Sequence, residues 1–325
     1  MNVAAFWLLA FMLTAYVILD GYDLGIGMIT PFVARSDEER LASMRSIGPF
    51  WGGNEVWLIA TGAVLFALFP QAYASSFSGF YLPFMVVLWL LMFRGVSLEL
   101  RTHFPSRIWH EFWDACFFLA SVLLVLFFGI ALGNMLRGLP LNASGFFLGT
   151  FAFLLNPYAL MVAVFAIAAL ALHGAAFLML RLDGPPSDRA RHAFSRMWGA
   201  VAALYLIVTV WTLFLRGEFA GARPFVVAMV LLSFAALVAI HVARSRRNDR
   251  STFFASAAFL ATLFAAAAGT MFPYLLPSYA NGVSGISIYS ATPSLVTLVF
   301  TVAGLMLLTA YSAIVLRRLA ARIRV

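Results

Sequence analysis

The sequence predicts an all-α, polytopic integral membrane protein, a helical bundle with about nine transmembrane helices. Three observations predict it. Of the 325 residues, 63% are hydrophobic and 10% are charged, against roughly 45–50% and about 25% in a soluble globular chain. The apolar residues come in runs long enough for a helix to cross about 30 Å of hydrocarbon, which takes about 20 residues. The basic residues, all of them arginine, gather between alternate runs. So few charges cannot cover a water-facing surface, which excludes soluble enzymes, nucleic-acid binders and disordered scaffolds. The formal net charge of +8 reads as the basic loops of a membrane protein rather than as a site for nucleic acid.

In chain order the candidate spans lie near 4–32, 48–70, 76–98, 112–136, 155–181, 197–216, 223–243, 252–275 and 293–317. Their uninterrupted interiors, such as Leu160 to Leu172 and Phe253 to Ala268, exclude barrel strands, which alternate apolar and polar residues. The second run is the weakest, because Asn54 and Glu55 sit near its start and Pro70 closes it. Arginine placement favours keeping it. With the N-terminus outside and the C-terminus cytoplasmic, every arginine except Arg137, Arg216 and Arg223 falls on the inner side, as the positive-inside rule expects. Without the second run, Arg35, Arg40 and Arg45 would move outside, leaving eight spans and a poorer split. The start Met1-Asn2-Val3 lacks a basic signal region, so the first run is expected to be retained. Loops are short, the longest outer ones being 137–154 and 276–292, and residues 1–325 read as a single transmembrane domain. The lone cysteine, Cys116, excludes an internal disulfide framework and a multi-cysteine metal site.

Ionisable residues inside a span are costly and therefore informative. Asp20 and Asp23 on the first helix are spaced i, i+3 and share a face with Tyr16 and Gly27. Two carboxylates so close resist joint ionisation, which suits a proton relay; pairing with a neighbouring helix, for example through Arg94, is the alternative. Gly21 and Gly25 form a small-xxx-small pattern that lets helices approach closely. The stretch from Gly48 to Trp57, with Trp51, Gly52, Asn54 and Glu55, combines glycine with polarity and should face protein rather than lipid. Antiparallel third and fourth helices bring Arg94 near Asp114, which predicts a buried ion pair between them. His173 is the one mid-span histidine, and without a partner histidine it reads as a cross-helix hydrogen bonder rather than a haem ligand. No other metal ligand set is evident. Trp51, Trp57, Trp109, Trp113 and Trp198 lie near the inner boundary, as an interfacial belt would. No phosphate-binding loop, dinucleotide fingerprint or zinc spacing is present.

An ordered series of blocks along most of the chain resembles one family. Leu19-Asp20-Gly21-Tyr22-Asp23-Leu24-Gly25-Ile26-Gly27 looks like the first-helix signature of subunit II of cytochrome bd-type quinol (ubiquinol) oxidases. Gly48-Pro49-Phe50-Trp51 and Gly53-Asn54-Glu55-Val56-Trp57-Leu58-Ile59 resemble its second block. Phe77 to Tyr81, Phe93 to Val96, Trp113-Asp114, Gly133 to Gly138, Leu155 to Tyr158 and Met271 to Tyr274 follow in the family's order. The resemblance implies a non-haem-ligating subunit of a terminal oxidase that oxidises quinol and reduces dioxygen to water in a bacterial-type plasma membrane. It implies a larger partner, subunit I, carrying b- and d-type haems, and a role here in assembly, shielding and proton delivery. Small single-helix subunits, membrane lipids, quinol and a structural quinone or lipid are further expected contacts. One departure stands out. The family's second block commonly reads Trp-Asp-Gly-Asn, its aspartate assigned to proton uptake, whereas this chain has Gly52 there. Either Glu55, with Asp20 or Asp23, replaces it, or the proton route of this subunit is altered or lost. The competing classes are an ion-coupled secondary transporter using midplane carboxylates and a haem-binding cytochrome b-like electron carrier, which the histidine inventory disfavours.

Overall fold

The computed structural model describes residues 1–220, 223–279, 285–290 and 294–321. Arg322 and Arg324, counted above on the inner side, lie outside the described residues, as does part of the 276–292 loop. The elements in order are α1 (Asn2–Val33), α2 (Asp37–Ile47), α3 (Trp51–Leu68), α4 (Pro70–Gly79), α5 (Tyr81–Leu100) and α6 (Arg107–Arg137). They continue with α7 (Phe151–Leu154), α8 (Pro157–Arg181), α9 (Pro185–Ala220), α10 (Pro224–Ser245), α11 (Asp249–Met271), a hairpin of β1 (Tyr274–Pro277) and β2 (Gly285–Ser287), and α12 (Leu295–Ala321). Among the described residues nine helices, all but α2, α4 and α7, are long and apolar enough to span a bilayer. The weak second run is one of them. The all-α class holds, with one small antiparallel hairpin added.

The differences from the sequence reading sit at element ends. The stretch after α1, read as a loop, forms α2, started by a capping box: the Ser36 hydroxyl accepts from the Glu39 N–H, and the Glu39 carboxylate accepts from the Ser36 N–H. Such a box is a strong local start signal, but α2 has 11 residues, too few to span, so a search for spans passes over it. Pro70 ends α3 and also opens α4 at its first turn, where its missing N–H costs nothing; the third span therefore begins at Tyr81. Helices α6 and α9 run past their apolar windows because their charged first turns remain helical in the polar boundary.

The spans alternate in direction and define two ends. One end collects the C-termini of α1, α5, α8 and α10, the N-termini of α3, α6, α9 and α11, and nearly all the arginines. Contacts there tie the chain together. Arg189 reaches from α9 to the Val33 carbonyl and the Glu39 carboxylate, and Arg191 makes a two-bond pair with Asp249 of α11. The three arginines at the opposite end each have a local task. Arg216 donates to the Leu136 carbonyl at 2.7 Å, and Arg223 to those of Gly269 and Phe272, at the negatively polarised ends of α6 and α11. Arg137 lies over the rings of Phe153 and Tyr279.

Helix α1 forms the hub, packed by α3, α6, α8 and α11. The crossing with α8 depends on Gly25 and Gly174, where an added Cβ on either glycine would overlap the other helix's backbone. In a bilayer, where apolar burial does not drive helices together, such close backbone approach supplies van der Waals contact instead. The sequence pattern at Gly21 and Gly25 is thus a packing device, with Gly25 the stricter position; a Cβ at Gly21 would meet only side chains, those of Leu170 and His173.

Candidate functional site

Asp20 and Asp23 leave α1 one turn apart and part company. Asp20 points to α5, where Arg94 grips it with both arms of the guanidinium: Nη1 donates to Oδ2 at 2.9 Å and Nη2 donates to Oδ1. Nη2 also donates to Glu55 Oε1 on α3 at 2.8 Å. Asp20 and Arg94 are wholly buried, whereas the Glu55 side chain remains 22% exposed. Two-armed arginine–carboxylate contacts are among the stronger hydrogen-bonded pairs, and this one ties α5 to α1 and α3 inside the spans. Arg94 lies within the span itself.

Asp23 points to α3 instead. Asn54 donates to Asp23 Oδ2 at 2.8 Å, and its amide nitrogen also lies 2.9 Å from the Tyr22 hydroxyl and 3.1 Å from the Leu19 carbonyl. Asp23 Oδ1 is buried with no hydrogen-bond partner among the described residues, and none of the ion pairs found there includes Asp23. The cluster therefore holds three carboxyl groups against one guanidinium. A buried charge without a counter-charge is expensive, and a proton is the smallest counter-charge that can serve.

The expected Arg94–Asp114 pair does not form. Asp114 is taken side-on by Arg101, Nε to Oδ1 and Nη2 to Oδ2, with Arg40 at 3.7 Å. Arg94 and Asp114 face different neighbours. A fully enclosed guanidinium needs carboxylates within hydrogen-bond reach, and α1 supplies Asp20, the pairing through Arg94 that the sequence offered as the alternative to a relay. Arg101 in turn joins Asp37 of α2, and His110 meets the same carboxylate at 3.1 Å. Partial burial would raise the Asp37 carboxyl, but hydrogen bonds and charge from Arg101 and His110 outweigh it and hold the group below its ordinary value.

The remaining sequence candidates settle around this centre. His173 spans three helices: its Nε2 donates to the Ile18 carbonyl at 3.1 Å and its Nδ1 accepts from the Ser256 hydroxyl at 2.7 Å. Its ring stacks on Phe253. With both nitrogens engaged it does not fit an axial haem ligand, and it is the cross-helix hydrogen bonder expected. Trp57 and Trp113 are buried and not members of an interfacial belt; Trp57 lies in the core with its indole N–H directed at Ser312 of α12. Trp51 covers Gly95 of α5. Gly52 is exposed, and a Cβ there would meet nothing within 4 Å. Among the described residues no cluster of three or more His, Cys, Asp or Glu side chains could hold a metal ion.

Sequence reasoning missed Tyr22, stacked on Phe177 at 4.3 Å and part of the Asn54 contact. It also missed the network around Arg101. Tyr22 was legible in principle, since it stands between the two aspartates.

The chain's relatives point to one family. It is 32% identical to cytochrome bd-I ubiquinol oxidase subunit 2 of Escherichia coli strain K12, covering 90% of this chain and 86% of that one. It is 30% identical to a probable cytochrome oxidase subunit 2 of Haemophilus influenzae, covering 94% and 91%, and 29% identical to cytochrome bd ubiquinol oxidase subunit 2 of Bacillus subtilis, covering 88% and 85%. Its fold matches a chain in the solved bd oxidase structure from Geobacillus thermodenitrificans with a TM-score of 0.81 at 21% identity, over 98% of each chain. Residues 1–319 match the family description as a whole, and the chain belongs to the cytochrome bd terminal oxidase subunit II family.

Proposed function

We propose that this chain is the subunit II of a quinol-oxidising, dioxygen-reducing terminal oxidase, working beside a larger subunit I that holds the b- and d-type haems. The family membership supports this reading over a secondary transporter, and the fully engaged His173 agrees with haem ligation by the partner. In this reading the chain lies in a bacterial plasma membrane with its arginine-rich end cytoplasmic and its N-terminus outside. Its electrons and oxygen chemistry belong to the partner; its own contribution is assembly, shielding and protons. Exposed apolar surface along α5 and α12 suits contact with the partner, single-helix subunits and lipid. An apolar cleft among α8, α9, α10 and α11, lined by Phe165, Tyr205, Val230 and Leu260, suits the tail of a lipid or a structural quinone.

One observation carries the proton-delivery part of the reading. Two carboxyl groups, Asp20 and Glu55, share a single guanidinium, and a third, Asp23, one turn from Asp20, has no ion-pair partner among the described residues and keeps an oxygen free. Reducing dioxygen to water consumes protons, and groups that share charge in this way can hold and release one without a large cost in solvation. Glu55, one turn along α3 from Gly52, takes the part of the family's missing aspartate. The test is purification of the chain with whatever travels beside it, followed by a reduced-minus-oxidised spectrum and quinol-driven oxygen consumption. A co-purifying larger haem protein with oxidase activity is expected; a colourless, self-sufficient chain contradicts the reading.

A further inference from the structure

Below the charge cluster, at the arginine-rich end, α2, the first turn of α3 and the last turn of α5 line an open-sided cavity of about 190 Å³. Its wall includes Arg45, Gly48, Trp51, Leu98, Glu99 and Arg101. A single water needs only roughly 10–15 Å³ of such space, so this cavity has room for a small cluster of waters. The wall is polar enough to keep them. Helix α3 starts without a side-chain cap, which leaves first-turn N–H groups to be satisfied. Arg101 is 1% exposed, and its Nη1 finds no acceptor among the described residues.

The cavity's position matters more than its size. Trp51 precedes Glu55 by four residues on α3, and Leu98 follows Arg94 by four on α5. These two wall residues thus stand one helical turn, about 6 Å, from the ion pair. Between cavity and cluster lies the Trp51 indole, resting on Gly95, where an added Cβ would come within 3.3 Å of the ring. Position 52 is not part of this wall and lies on exposed surface of α3.

We propose that this cavity is the water-filled entrance through which protons reach the Arg94 cluster, with Glu99 exchanging protons with bulk solvent and the Trp51 indole as the barrier. The proposal rests on the proton-delivery reading above and accounts for a glycine at position 52: the route passes the other flank of Trp51. The chemistry is O–H exchange alone. Glu99 takes a proton from hydronium, releasing water, and yields it to a cavity water, which passes it to Glu55; electrons for oxygen reduction come from quinol at the partner. Arg45 and Arg101 are the charged groups sharing the wall with Glu99.

The test uses the assembled membrane complex in a Cys116→Ser background. Thr102, also in the wall, is changed to cysteine and coupled after assembly to a bulky neutral maleimide, with Leu41→Cys as a second site should the first not assemble. Labelling should slow quinol-driven oxygen consumption at least about tenfold, raise its solvent deuterium isotope effect and leave the haem spectrum unchanged. Glu99→Gln should slow turnover and Glu99→Asp should restore most of it. Full turnover after complete labelling at both sites, with an unchanged isotope effect, overturns the entrance alone. An unlabelled complex that consumes no oxygen overturns the reading beneath it, and the entrance with it.

Discussion

Arg94 of α5 and Asp20 of α1 form a two-armed ion pair with both side chains fully enclosed, 74 residues apart in sequence. The pair fixes how α5 meets the central helix, and it decides what each neighbouring carboxylate can do. Glu55 shares the same guanidinium. Asp23 does not.

Removing one partner leaves an uncompensated charge, which costs about 3–5 kcal/mol at a buried pair. Arg94→Gln should therefore lower the yield of assembled complex sharply. Replacing both partners by apolar residues, Arg94→Met with Asp20→Leu, should restore part of the yield, though not turnover. Detergent-resistant assembly on a native gel measures this; equal yields for wild type and Arg94→Gln would show that the pair contributes nothing to packing.

The α1–α8 crossing has no room at Gly25 or Gly174. Overpacking a tight interior typically costs about 1–3 kcal/mol, and backbone overlap leaves few ways to relax. Gly25→Val should reduce the thermal stability of the complex by several degrees or block assembly, while Gly62→Ala, at a site with nothing within 4 Å, should do neither. Thermal inactivation of the two variants side by side decides it.

Glu39 anchors the surface helix α2. Its carboxylate accepts from the Arg35 N–H at 2.6 Å, from the Ser36 N–H and from Arg189, and these bonds hold its pKa below the usual 4.5. A lowered folded value means that the contribution is complete above about pH 4.5 and fades as pH falls through the folded pKa. The protection of α2 amides, taken relative to the intrinsic exchange rate at each pH, should fall on acidification below that point. Glu39→Gln should show the lowered protection already at neutral pH; full protection in that variant would remove the anchor role.

Orientation follows from the same end of the molecule. With Cys116 replaced, cysteines at Ser36 and Ser144 should react from opposite faces of the membrane, Ser36 from the cytoplasmic side. Reaction of both from one face would break the alternation of spans.

Much of this was legible in the sequence, and the reasons are physical. Runs of apolar residues follow from the thickness of the bilayer, so the spans emerged with only their ends displaced. Helix α2 escaped because its signals, Ser36 and Glu39, are local and polar, not long and apolar. Asp20, Asp23, Glu55 and Arg94 stood out because charge inside a span is costly wherever it falls. Their partners were harder. Pairing depends on which helices touch, and α1 touches helices from the whole length of the chain; the sequence offered Arg94 both to the α1 aspartates, which is the pair that forms, and to Asp114, which Arg101 takes instead. Burial of Trp57 was hidden for the same reason, since its neighbour Ser312 lies 255 residues away.

The central claim is that the carboxylates around Arg94 serve proton delivery. The most direct measurement is quinol-driven oxygen consumption by the assembled complex carrying Asp20→Asn, Asp23→Asn or Glu55→Gln, each with its haem spectrum recorded beside it. The account predicts an intact haem spectrum with turnover lowered roughly tenfold or more in Glu55→Gln, and the same loss of turnover in the smaller amount of Asp20→Asn complex that assembles once Arg94 has lost that partner. Normal turnover in all three variants would contradict it, and would mean that protons reach the oxygen site through the partner subunit alone.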